Sequence, residues 1–274
     1  MNTNGMGSPP LSAENRRKAG PTAFNSVRVF IWRTWQHTKN NGFGFIMDAV
    51  LSPVLMLLIF TYLFGGAIAG STGAYIPYLL PGILVLTVSP MTVYSGTTLC
   101  QDISKGVYHR FRTMPFWQPS AVLGPLVTDA VRYLIALVVI LAAGRLLGFR
   151  PAGGIRGAAL ALLLTALFAF AVSWIFSMIG VVAKRPETVS GTSMMILYPL
   201  MFASNSLVDP GTMPGWIGRL VELNPISVVV TAVRGLMEGT TGGGEIAASL
   251  GVCLVLIAVF APLTFYFYVT KPLR

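Results

Sequence analysis

Asp129 and Arg132 stand three positions apart inside an apolar stretch, the spacing at which two side chains share one face of a helix. An ionisable pair in such surroundings is either a working group of a membrane path or a pair close to a water boundary. Asp48, near the start of an earlier apolar stretch, reads more simply as a boundary residue. Other chemistry-bearing groups are sparse. His37 and His109 stand alone, and an isolated histidine is more often solvated than catalytic. Cys100 and Cys253 lack metal-type spacing and read as small buried hydrophobes. No His-x-x-x-His, Cys-x-x-Cys or Gly-x-Ser-x-Gly pattern occurs, so the sequence offers neither a metal set nor an activated serine.

A nucleotide-binding P-loop ends in Gly-Lys followed by Ser or Thr, because the lysine serves phosphate and the hydroxyl serves the metal ion. The lysines are Lys18, Lys39, Lys105, Lys184 and Lys271, and none precedes Ser or Thr. ATP bound in that manner is excluded. A proton relay would need a series of buried carboxylates and histidines, and the pattern holds none, which counts against a proton-coupled pump acting alone.

The elements that must position these few groups are set by composition. Residues are 54% hydrophobic and only 10% charged, whereas a soluble domain carries about 25% charge to cover its surface. Six apolar stretches, at about 44–64, 75–99, 121–147, 157–183, 188–207 and 246–270, each reach the roughly 20 residues that cross a hydrocarbon layer. The expected fold is therefore an all-α integral membrane protein of six transmembrane helices, with a transmembrane domain over 44–270. The net charge of +10 does not point to nucleic acid, because the basic residues cluster ahead of the first span and in the breaks between spans.

Residues 1–21, rich in Gly, Pro, Ser and Asn, read as a disordered tail. They carry basic residues without an apolar run, so they do not read as a secretory leader, and the first span is expected to remain as an anchor. Over 22–40, Phe24, Val27, Ile31 and Trp35 recur at helical spacing, and Trp32 and Trp35 suit the headgroup layer. An amphipathic helix on the membrane surface is the reading, against an ordinary soluble helix. Lys and Arg counts then orient the chain. With the first segment inside, segments 1–43, 100–120, 184–187 and 271–274 hold thirteen, against five on the other side, which predicts both termini in the cytoplasm.

Two segments between spans exceed what a turn requires. Residues 101–119 mix Lys105, Arg110 and Arg112 with Tyr108, Phe111, Phe116 and Trp117, the composition of a docking surface or of an interfacial aromatic belt. Residues 213–223 and 226–237 read as two short helices split at Asn224-Pro225, each too short to cross. A re-entrant pair over about 213–237 is expected, with a surface pair as the alternative, and Gly242-Gly243-Gly244 joins it to the last span.

These residues together resemble the permease subunits of type-2 ABC exporters, daunorubicin-resistance-like ones in particular. The likeness rests on Arg110-Phe111-Arg112 with Met114-Pro115, then Met213-Pro214-Gly215-Trp216-Ile217, Leu223-Asn224-Pro225 and Val233-Arg234-Gly235-Leu236. It implies a six-helix half-transporter in the plasma membrane, not an enzyme, paired with a second protomer as a homodimer. Separate ATP-binding subunits would hold ATP and magnesium, with no cofactor in this chain. The resemblance places a coupling helix at about 102–115, with Asp102, Lys105, Tyr108, Arg110, Phe111 and Arg112 meeting the ATPase, and adds Trp32 and Trp35 from the first amphipathic helix. It sets the path for a drug, secondary metabolite or lipid between protomers. On the fifth span, Ser193, Met194, Tyr198, Met201, Phe202 and Asn205 suit an amphipathic ligand or, equally, helix packing. Export of a polysaccharide or lipid-linked glycan by the same architecture is the alternative. An intramembrane enzyme or assembly factor is the third reading, and it would need a catalytic set that the spans lack.

Overall fold

The computed structural model describes residues 42–66, 70–105, 120–208, 210–240 and 242–270, and among these every regular element is helical. The tail 1–21, the amphipathic segment 22–40 with Trp32 and Trp35, and Tyr108, Arg110, Phe111 and Arg112 lie outside the described residues, as does the side chain of Asp48.

Helix α1 runs over 42–66 and alternates α-helical stretches, Gly42–Ile46 and Ser52–Ile59, with π-helical turns at Met47–Leu51 and Phe60–Phe64. Pro53 has no N–H to give to the preceding turn, and the chain takes up that mismatch as a π turn just upstream. Helices α2 (Thr72–Met91) and α3 (Val93–Ser104) form one long rod, joined at Thr92, which keeps helical angles of −65° and −22°. Pro77, Pro81 and Pro90 lie inside α2. Prolines are tolerated in membrane helices where hydroxyls bond to nearby carbonyls, and here Ser89 donates to Val85 O at 2.7 Å and Thr92 to Ser89 O at 2.6 Å.

The remaining elements are α4 (Ser120–Leu146), α5 (Gly154–Val182), α6 (Pro186–Phe202), α7 (Gly215–Leu223), α8 (Pro225–Glu238) and α9 (Gly243–Thr270). Four rods, α2–α3, α4, α5 and α9, are long and apolar enough to cross a membrane, and five if the bent pair α7–α8 counts as one broken span. In their most apolar windows α2–α3 is 83% buried and α9 only 11%, so the first sits at the centre of the molecule and the second on its rim.

Lipid tails are as apolar as leucine, so helices in a membrane associate through close packing of small residues rather than hydrophobic burial. The crossing of α3 over α5 is built that way. Gly96 and Gly180 meet backbone to backbone, and a Cβ on either would overlap a carbonyl of the other helix.

One expectation needs adjustment. Helix α6 stops at Phe202 rather than Leu207, because Ala203 leaves the helical region at φ −84° and ψ 46°. Asn224 then donates to the carbonyls of Leu200 at 2.7 Å and Ala203 at 2.6 Å, satisfying groups the helix end exposes. The pair α7–α8 is present with an 80° bend, and α8 packs against the bundle: Val229, Val230, Ala232 and Val233 are fully buried. The bend follows from the sequence. A residue before proline avoids the helical region, and Asn224 sits at φ −67°, ψ 127° while its Oδ1 accepts from Ile226 N–H at 2.9 Å.

Candidate functional site

A cleft of about 840 Å³ opens along one side of the bundle. Its back is the α2–α3 rod from Leu86 to Gln101, its flanks are α1 and α6, and Arg132 enters from α4. Helix α1 packs on α2 and α4, while α6 packs chiefly on α3 and α5 and also touches α2, so the two flanks share only the α2–α3 rod between them. At about 1.5 Å per residue, the α6 flank from Pro186 to Phe202 is about 24 Å long.

The walls differ in chemistry. On α3, Tyr94, Thr97, Thr98 and Gln101 face the cleft at helical spacing and present hydroxyls and an amide. On α6, Met194, Tyr198, Met201 and Phe202 present sulfur and aromatic surface, and Met56 of α1 joins them. A volume of this size, lined by apolar and aromatic groups with a few polar ones, suits a drug-sized molecule.

Charge enters at two points. Glu187 lies in the first turn of α6, at the end of the cleft near Gln101. Arg132 donates through Nη1 to Asp129 Oδ1 at 3.0 Å, and its guanidinium carbon lies 5.2 Å from the Tyr94 ring centre. Ser95 donates to Asp129 Oδ2 at 2.6 Å, so the carboxylate that holds Arg132 is itself held from α3.

Past the opposite end of the cleft, the start of α2 is tied to the segment after α6 and to α8. Tyr75 donates to Leu207 O at 2.8 Å and Tyr78 to Asn205 O at 3.1 Å, fastening the start of α2 to the segment after α6. Arg234 of α8 donates to the carbonyls of Tyr78 and Asn205, while Asn205 donates to Ser227 Oγ and Thr231 Oγ1 at 3.1 and 2.8 Å. Gly82 lies against the backbone of Ser206, where a Cβ would have no room.

Residues 25–237 match the family model described as ABC-2 type transporter. The chain is 50% identical over 261 residues, 95% of it and 92% of the relative, to a daunorubicin resistance ABC transporter permease protein, DrrB1, from Streptomyces coeruleorubidus. This chain belongs to the ABC-2 type transporter family. It is 27% identical over 207 residues to a doxorubicin resistance ABC transporter permease protein, DrrB, from Mycobacterium tuberculosis, covering 72% of this chain and 71% of that one. It is 21% identical over 248 residues to a probable doxorubicin resistance permease protein, DrrC, of the same species, covering 86% and 89%.

An ABC-2 permease is a transporter's membrane subunit, not an enzyme, and its ATPase activity belongs to a separate subunit. In this permease, four of the six fifth-span residues singled out from sequence, Met194, Tyr198, Met201 and Phe202, line the cleft. The other two face elsewhere. Ser193 is fully buried in the stripe Val189, Ser193, Leu197, and Asn205 is engaged by α8. Asp102 directly follows the cleft-lining Gln101, and Lys105 caps α3 one turn beyond it. The α3 wall was not singled out from sequence, and Arg234 entered only within the run Val233-Arg234-Gly235-Leu236, without its partners. Tyr94, Thr97, Thr98 and Gln101 do form an i, i+3, i+4, i+7 polar stripe, a signal that was available.

Proposed function

We propose that this ABC-2 permease exports an amphipathic organic compound, of the kind its daunorubicin- and doxorubicin-resistance relatives are named for, through the cleft between α1 and α6. The observation that carries the reading is the two-faced cleft itself: a polar α3 wall opposite a Met- and aromatic-rich α6 wall, in a protein whose family moves molecules across membranes.

The finer topology is proposed as six spans, namely α1, α2–α3, α4, α5, α6 and α9, with α7–α8 re-entrant from the outer face of the plasma membrane. Helix α8 has 14 residues, about 21 Å at about 1.5 Å each, short of the roughly 30 Å hydrocarbon layer. Its buried valines support a place inside the bundle. Lys and Arg counts support cytoplasmic termini, which makes the Gln101 and Glu187 end of the cleft the inner mouth. The state described is then open inward and closed outward by α7–α8.

A homodimer completes the path in this reading. The flanks leave large apolar side chains uncovered, including Tyr62 on α1 and Met195 and Phe202 on α6, while α9 exposes Leu254 and Val255 to lipid. Two ATP-binding subunits, holding ATP and magnesium, dock at the segment that begins with Asp102 and Lys105. Because α3 continues from those residues into the cleft wall and is tied to α4 by Ser95–Asp129, a push on the coupling segment reaches Tyr94 and Arg132 directly.

The deciding experiment places the permease and its ATP-binding subunit in inverted membrane vesicles and follows daunorubicin fluorescence. ATP-dependent accumulation, absent without the ATPase, is expected. A preparation with no stable complex and no ATP-driven accumulation overturns the exporter reading.

A further inference from the structure

We propose that the tip of the α4–α5 hairpin docks anionic phospholipids, with Arg145, Arg150 and Arg156 on the headgroup phosphates and Leu146 and Ile155 among the acyl chains. None of these five residues lines the cleft, so the surface is separate from the path and holds whichever compound is exported. It requires only that α4 and α5 cross the membrane, for which both are long and apolar enough.

The first observation is unbalanced charge. Arg145 lies in the last turn of α4, Arg150 in the link 147–153, and Arg156 in the first turn of α5. All three are exposed, and none makes an ion pair among the described residues. From 130 to 186 the chain carries no Asp or Glu. Glu238, beside the Met237 carbonyl that accepts from Gly153 N–H at 2.8 Å, sets one carboxylate against three cations. A guanidinium fork matches phosphate oxygens in shape as well as charge.

The second observation is apolar surface placed directly beside that charge. Leu146 and Ile155, next in sequence to Arg145 and Arg156, are each 90% exposed. Helices of 27 and 29 residues run to about 40 Å or more, against a hydrocarbon layer of roughly 30 Å. Their joined ends therefore stand at headgroup depth. There the two apolar side chains reach down into acyl chains while the neighbouring arginines stay level with phosphate. A soluble acidic partner would satisfy the charge and leave Leu146 and Ile155 facing water.

The third observation is that the tip is a built surface. Phe149 is buried, and its N–H donates to Gly144 O at 2.9 Å. Gly153 lies so close to the Leu236 carbonyl that a Cβ would overlap it. The link is fastened to α4 and α8 at these points, so less backbone freedom is lost when lipid binds.

The test uses the permease with its ATP-binding subunit in nanodiscs of phosphatidylcholine and phosphatidylglycerol in equal parts. Leu146→Cys labelled with bimane reports from the tip, since Cys100 and Cys253 are buried. Trace phosphatidylglycerol or phosphatidylcholine, each spin-labelled on the headgroup, serves as quencher. Spin-labelled phosphatidylglycerol should quench at least about threefold more strongly, and added salt should shrink that ratio. Arg145→Gln, Arg150→Gln and Arg156→Gln together should bring the ratio to about one while the emission stays blue-shifted, because the apolar contact remains. Lys184→Gln with Arg185→Gln, in the break between α5 and α6, should leave it unchanged. Equal quenching by the two lipids, or a ratio that survives both salt and the triple variant, overturns the surface. Water-like emission unquenched by either lipid overturns it too, as does shielding from both lipids, which would mark a protein on the tip.

Discussion

The guanidinium carbon of Arg234 lies 3.8 Å from the centre of the Tyr78 ring, and the same side chain donates to the backbone carbonyls of Tyr78 and Asn205 at 3.2 and 3.0 Å. One residue of α8 thus clamps the start of α2 to the segment that follows α6. Both bonds leave one nitrogen, Nη2, which an ammonium could imitate, but lysine lacks the planar guanidinium face that stacks on the Tyr78 ring. Arg234→Lys should cost about 2–4 kcal/mol, and Tyr78→Phe, which loses the hydroxyl contact to Asn205, about 1 kcal/mol. Thermal unfolding of the purified permease in nanodiscs reads both. A Lys variant as stable as wild type removes the clamp.

The α3–α5 crossing makes a sharper prediction, since its contacts are backbone on backbone. Gly180→Ala places a Cβ against the Gly96 carbonyl, where no flexible side chain can yield. The expected loss is about 3 kcal/mol, seen as a lower yield of monodisperse protein on fluorescence-detected gel filtration. Gly251→Ala on α9, where an added Cβ meets nothing within 4 Å, is the control and should be neutral. Equal behaviour of the two variants contradicts close packing at Gly180.

How much of this was legible beforehand depends on the range of the interaction. Helices solvated by lipid advertise themselves, so the long rods were found to within a few residues, and the i, i+3 spacing of Asp129 and Arg132 announced their pair. The bend at Asn224-Pro225 was legible for the same reason, being local chemistry. Ser95, 34 residues from Asp129, was not, nor was Arg234, 156 residues from Tyr78, because nothing along the chain records what tertiary packing brings together. Residue type alone placed Ser193 and Asn205 with the cleft-lining side chains. A small polar group serves a packed helix face as well as a wet one, and only burial separates the two uses.

Placement of α8 inside the bundle is checked by cysteine labelling. Val229→Cys and Val233→Cys should react slowly with a membrane-impermeant maleimide added from outside, both positions being fully buried. Trp216→Cys and Leu223→Cys on α7, 69% and 80% exposed in the wild type, should react at least about tenfold faster. The native Cys100 and Cys253 are buried and add little background. Fast labelling at both valine positions makes α7–α8 a surface pair.

In the proposed mechanism, energy coupling falls on the segment that begins at the end of α3. Replacing Arg110 and Arg112 together with Glu reverses two charges at the proposed ATPase contact. Transport in vesicles should fall to background while the permease still dimerises, because a surface that fits two basic side chains no longer matches two acidic ones. Normal transport by this variant moves the coupling surface elsewhere.

The homodimer is tested by disulfide trapping, with the choice of positions fixed by exposure. Met195 lies on α6, 80% exposed, beside the cleft flank yet outside its lining. If a second protomer closes the path, this face meets its own copy across a two-fold axis, and residues near that axis approach themselves. Met195→Cys should then give a dimer band after mild oxidation in membranes. Leu254→Cys, 68% exposed in the wild type on the rim helix α9, should stay monomeric, because lipid and not protein covers that face. Two cysteines must bring their Cα atoms within about 7 Å to bridge, so trapping at position 195 alone locates the interface on α6. Trapping at 254 and not at 195 would put α9 at the interface and leave the α6 face, with its cleft, opening to lipid.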